Sequence, residues 1–257
     1  MKHLMTFLLT LGLLTVSLCA VVPVDSGSAN AQFHAGRTAE ALSSYRTLLA
    51  SSAFAKAGSF ELWYNRGLAE EKTGEPVAAS LSFRRALILS PGFVPARRQL
   101  SKILESLGVP FRETPIDKAF TLISPEAMIL GGAILGWLGL LAFVVLFYAN
   151  REKKGYLALA LVCFVLGHGV SLAGSMTDPR RVAASQGVVT SKTSPTLRAT
   201  PADSGTAAGT LSPGTLTSIL SRNGAWWYVS DGSGHSGWIP SDTITPLIPA
   251  LPSASGS

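Results

Sequence analysis

Apolar positions fall along this chain in distinct patterns, and each pattern predicts a different kind of structure. A first apolar run, residues 4–22, follows Lys2 and His3 and is dominated by Leu, Val, Thr and Ser. In the next segment apolar residues recur at helical spacing, as in Leu100, Ile103, Leu104 and Leu107. Two uninterrupted apolar runs then occupy residues 128–149 and 156–176, joined only by residues 150–155. Beyond residue 187 short β-prone stretches at 188–191, 216–220, 226–230 and 237–239 alternate with turn signals at 212–214, 222–224 and 231–234.

The two central runs are each long enough to cross a hydrocarbon core of about 30 Å, and neither contains Asp, Glu, Lys or Arg. They predict a transmembrane hairpin with helices at 126–149 and 156–176. Its loop carries Arg151, Lys153 and Lys154 against Glu152, and short basic loops stay cytoplasmic. Arg180 and Arg181 pull weakly the other way. The leading run reads as a signal peptide, residues 1–20, with a cut after Ala20. A cut after Ala31, or an uncleaved anchor, gives the same topology. Leu18 is too large for a lipoprotein site at Cys19. Both flanking segments are therefore expected outside the cytoplasmic membrane. Gly132 and Gly136 in one run, and Gly167, Gly169, Ala173 and Gly174 in the other, suit close helix packing in lipid. His168 is expected to be neutral and hydrogen-bonded to the neighbouring helix.

Apolar residues make up 47% of the chain and charged ones 14%, against about 25% charged in soluble domains. The net charge of +6 comes largely from the helical segment and the membrane flanks, so it does not point to nucleic acid. Cys19 and Cys163 offer no internal disulfide, and no Cys/His spacing suits a metal. No Ser/His/Asp set, phosphate-cradling loop or paired carboxylates can be assembled, so no enzyme, cofactor or metal is expected.

Gly36, Gly74 and Gly108 mark a helix–turn–helix rhythm with a period near 34 residues, lengthened by an insertion around residues 51–60. Ala41 and Tyr45 in one copy match Ala79 and Phe83 in the next. Trp63, Gly67, Gly74, Ala79, Phe83, Ala86 and Pro91 resemble the tetratricopeptide repeat, which implies a short helical array over residues 21–110. Gly67 and Ala79 allow close helix approach, with Trp63 and Phe83 as core. Arg66 and Glu70 stand where that family places Leu and an aromatic, which implies loose stacking. The concave face of such arrays is lined by first helices, here 60–72 and 94–107. The register then offers Tyr64, Leu68, Glu71, Arg97 and Arg98 to a partner protein. Alternatively, the helices only pack on the rest of the chain.

About five short strands over residues 187–247 predict a small β-barrel. Residues 197–201, 209–214, 226–229 and 237–239 resemble the bacterial SH3-like family in order and spacing, in which the Trp of the late Gly-Trp-Ile strand, Trp238 here, closes the barrel. That family binds cell-wall peptides or serves as a spacer or protein-contact module. Alternate strand residues face outward, so at least one of Trp226, Trp227 and Tyr228 should be exposed as a stacking surface, unless the ring packs on the loop 193–208. His235 is expected to be solvated. Linkers are expected at 111–125 and 177–186, and a disordered tail at 248–257.

Together these parts make a multidomain α and β chain: a helical tetratricopeptide-repeat array, a two-helix transmembrane hairpin and a small SH3-like β-barrel. The order resembles BatE-type proteins of the bacterial Bat (aerotolerance) group. The resemblance implies an inner-membrane scaffold beside von Willebrand factor A-type partners and an AAA-type ATPase. Binding of peptidoglycan through the SH3-like domain is the alternative.

Overall fold

The computed structural model describes residues 26–51, 59–111, 125–149, 154–176 and 178–248. The expected signal peptide and its cleavage sites, the basic loop residues 150–153, the linker 112–124 and the tail from 249 lie outside the described residues. The chain forms two compact units, one containing the apolar hairpin and the other containing both the N-terminal helices and the C-terminal strands.

In the second unit, helices α1 (Gly27–His34) and α2 (Thr38–Ser51), then α3 (Ser59–Lys72) and α4 (Pro76–Leu89), form two helical hairpins, and α5 (Val94–Ser106) follows. Three of these helices end in the same way. Gly36, Gly74 and Gly108 adopt φ of 79°, 76° and 69°, a left-handed conformation that costs glycine nothing. The next residue donates back to the carbonyl five positions earlier: Arg37 to Gln32 at 3.0 Å, Glu75 to Glu70 at 2.8 Å and Val109 to Leu104 at 2.9 Å. Such a termination satisfies carbonyls left over at the helix end and reverses the chain. The glycine rhythm thus has a steric cause.

The equivalent residues Ala41 and Ala79, Tyr45 and Phe83 are all fully buried, as the register requires. A Cβ on Gly67 would sit 2.6 Å from Cε1 of Phe83, so α3 and α4 touch there through a missing side chain. Leu100, Ile103 and Leu104 of α5 close this core beside Trp63, Phe83 and Ala86. Arg66 and Glu70 take part in the packing of α3 on the following helix α4. Glu70 is fully buried, accepting from Arg66 Nε at 2.8 Å and Ser82 Oγ at 2.6 Å. The guanidinium of Arg66 lies 5.1 Å from the Trp63 ring centroid. A salt-bridged carboxylate with a donor on each oxygen stands where the repeat family places an aromatic.

The hairpin unit pairs α6 (Pro125–Ala149) with α7 (Lys154–Met176), both long and apolar enough to cross a bilayer. Glycines carry its seam. A Cβ on Gly132 would meet the Gly167 carbonyl oxygen at 2.6 Å, and one on Gly139 the Phe164 amide nitrogen at 2.6 Å. Gly136 makes room for the His168 ring. That ring differs from expectation: Nδ1 donates to the Phe164 carbonyl of its own helix at 3.0 Å. Trp137 of α6 contributes only a ring contact, at 6.3 Å between centroids.

After α8 (Pro179–Ala183), which occupies part of the expected linker, come strands β1 (Gln186–Val189), β2 (Thr196–Arg198), β3 (Ala207–Thr210), β4 (Leu216–Asn223), β5 (Trp226–Asp231), β6 (Ser236–Pro240) and β7 (Ile244–Pro246). They form one antiparallel sheet in the order β3-β2-β6-β5-β4-β1-β7. Two strands, β2 and β3, lie within or overlap the segment 193–208 expected as loop. Backbone ladder bonds over a few residues suffice there, with Leu197 alone turned fully inward. The barrel core joins Val189, Leu197, Leu211, Val229, Ile239 and Ile244.

The barrel docks directly on α4. Leu81 and Ile88 share a buried cluster with Ala183, Val188 and Leu247. Arg85 donates from Nε to the Leu247 carbonyl at 2.9 Å and from Nη2 to the Pro246 carbonyl at 3.0 Å. The 212–214 turn closes a second contact, since a Cβ on Gly214 would stand 2.8 Å from Cδ1 of Leu107.

Candidate functional site: two partner-facing surfaces

On the helical block, the residues expected to face a partner take unequal positions. Tyr64 is half-buried, its ring 5.7 Å from Phe83 and 5.1 Å from Phe93. Burial, and then the neighbouring Glu71 charge, raise its phenol above the ordinary value. Leu68 packs against the same core. Glu71 Oε1 pairs with Lys102 Nζ at 3.0 Å, tying α3 to α5. Arg97 turns back and donates to the Pro91 carbonyl at 2.7 Å. Arg98 is exposed. The surface is therefore an aromatic ledge of Phe60, Tyr64 and Phe93 with charged groups beside it. Sequence reasoning missed Phe93 and Lys102, although Lys102 lies one helical turn beyond Arg98.

On the barrel, Trp226, Trp227 and Tyr228 are all half-buried, so none stands fully exposed. Strand alternation separates them. Trp227 packs against the inner cluster, with the Arg222 guanidinium 4.8 Å from its ring centroid. Tyr228 lies on the other face, paired in register with Trp238 and 5.3 Å from its ring. Its hydroxyl donates to Ser236 Oγ at 3.1 Å. Trp238 itself departs from the expected barrel-closing role. Ile239 is fully buried, and Trp238, one position away, must project to the opposite face. The aromatic pair Tyr228–Trp238 is thus the ledge of this domain, with Trp226 opposite Pro240. Arg198, within the 193–208 segment, is the strand partner of Trp238.

Residues 193–245 match the bacterial SH3 domain family. The match runs from β2 into β7, leaves out β1, and reaches none of the α-helices. No curated protein and no solved structure gives a match.

At the tip of the β5–β6 hairpin of the SH3 domain, His235 is held rather than merely solvated. Its Nδ1 lies 3.1 Å from Asp231 Oδ2, while the amides of Ser233 and His235 each donate to Oδ1 at 2.9 Å. Burial alone would raise the Asp231 carboxyl. The side-chain bond from His235, the two amides and the His235 charge outweigh it and hold the group below its ordinary value. Among the described residues no cluster of His, Cys, Asp or Glu suits a metal ion.

Proposed function

We propose that this protein is a membrane-anchored scaffold of the bacterial cytoplasmic membrane, with its helical array and SH3 domain together on the outer side. In this reading it recruits partner proteins and catalyses no reaction of its own. The observation that carries it is the Arg85 clasp. Arg85 precedes the apolar hairpin in sequence, Pro246 and Leu247 follow it, and yet they are hydrogen-bonded. A direct contact supports placing both segments in one compartment, with the chain between them crossing the membrane an even number of times. The basic loop favours a cytoplasmic connection. Two adjacent spans and an SH3 domain support this reading. The finer identity, a tetratricopeptide array in a BatE-type protein beside von Willebrand factor A-type and AAA-type partners, rests on repeat register and domain order.

Reporter fusions test the topology. Fusions after Gly108 and after Leu247 are expected to be exported, and one inserted at Lys153 to be cytoplasmic. A cytoplasmic signal from the Leu247 fusion refutes the hairpin. The second reading, anchoring to peptidoglycan, is favoured by the SH3 match and the Tyr228–Trp238 ledge. Sedimentation of the full-length protein with purified sacculi, lost in Trp238→Ala, would establish it over the scaffold reading.

A further inference from the structure

A separate site lies where the helical array meets the SH3 domain. A cleft of about 310 Å3 opens between Arg84 of α4, Val109 and Phe111 beyond α5, Ser212 before β4, and Ser233 in the β5–β6 turn. That volume is at the lower end of small-ligand sites, about 300–1,000 Å3. Its walls combine apolar surface with hydroxyl groups, and its two acid–base extremes are in opposite states. Asp231, which also lines the cleft, already takes part in three hydrogen bonds within its own turn.

Arg84 is not saturated. Its Nη2 reaches the Gly214 carbonyl only at 3.5 Å. Its Nε is closed off from solvent and has no hydrogen-bond partner among the described residues. Burial lowers this guanidinium to about 10, and no neighbouring carboxylate opposes the shift. It remains charged at neutral pH. A desolvated cation without a counter-charge is costly to maintain, and such groups in clefts mark binding sites.

We propose that this cleft binds a ligand presenting one carboxylate on a short apolar body, such as the free C-terminal end of a peptide, with Arg84 as its counter-ion. One guanidinium matches one negative charge. A phosphate monoester carries about −1.5 to −2 and would leave charge uncompensated. Val109, Phe111 and Leu216 give the ligand's side chain an apolar wall, and the Thr210 and Ser212 hydroxyls are available to its amide groups. The site goes beyond the scaffold reading and does not depend on the membrane topology.

Isothermal titration of the full-length protein in detergent, with N-acetyl-trialanine and with its C-terminal amide, tests this. The free acid is expected to bind and the amide to bind at least tenfold more weakly. Arg84→Gln should lower affinity for the acid at least tenfold, while the exposed-site control Arg37→Gln leaves it unchanged. Equal binding of acid and amide, no binding of either, or unchanged binding by Arg84→Gln overturns the proposal. If Arg84→Gln does not fold, Ser233→Trp, on the exposed turn, decides. The indole adds bulk to the cleft lining and leaves the Arg84 side chain unchanged, so retained binding overturns the site and lost binding supports it.

Discussion

Replacing Arg85 with Met probes the joint between the helices and the SH3 domain while retaining the side-chain stem. The guanidinium is buried, with the residue 6% exposed, and lies 4.5 Å from the Trp63 ring centroid. Arg85→Met removes its donors to Leu247 and Pro246. Hydrogen bonds to a charged group contribute about 1.5–3 kcal/mol each. Against that stands the cost of burying the charge. Burial first, and then repulsion from Arg66, lower this guanidinium to about 10, with Glu70 pulling it back up. A Met side chain recovers that cost and keeps the apolar contacts. The net loss should therefore be about 2–4 kcal/mol, less than the sum of the two bonds. Urea unfolding of the full-length protein in detergent measures it, with amide exchange at residues 244–247 as the local readout. Exchange there should accelerate. A change below about 0.5 kcal/mol, the range of ordinary surface substitutions, together with unchanged exchange, would refute the clasp.

Gly67→Ala should destabilise the helical block by about 1–3 kcal/mol, because the new methyl would meet the buried Phe83 ring at 2.6 Å; thermal unfolding checks this, and a stable variant would place α3 and α4 further apart. The Asp231 turn predicts a pH dependence of defined sign. A carboxyl whose folded pKa lies below its ordinary 3.8 stabilises the fold above that value and loses this contribution as pH falls through the folded pKa. Wild type should therefore lose stability below pH 3.8 more steeply than Asp231→Asn, as followed by Trp fluorescence; parallel curves would exclude the turn as the cause.

Much of the architecture was legible because it depends on local chemistry. The glycines at 36, 74 and 108 announce helix ends wherever the chain must turn through positive φ. The lengths of the two apolar runs fix their capacity to cross a bilayer, and alternation with turn residues locates β4, β5 and β6. Small residues at Ala79 and Gly67 likewise reveal a close helix contact before any coordinates exist. What sequence could not give were the pairings between distant residues. Glu70 departs from the repeat pattern, and only the fold brings a donor to each of its oxygens, from Arg66 and from Ser82. Trp238 looked like core because its family pattern carries it, but strand parity placed Ile239 inside instead. Nothing local to Arg84 or Arg85 distinguishes them from solvated helix arginines. Only the docking of β7 and of the 212–214 turn on α4 makes Arg85 a clasp and leaves Arg84 half-buried with its Nε closed off from solvent, because burial and partnership are set by segments more than a hundred residues apart.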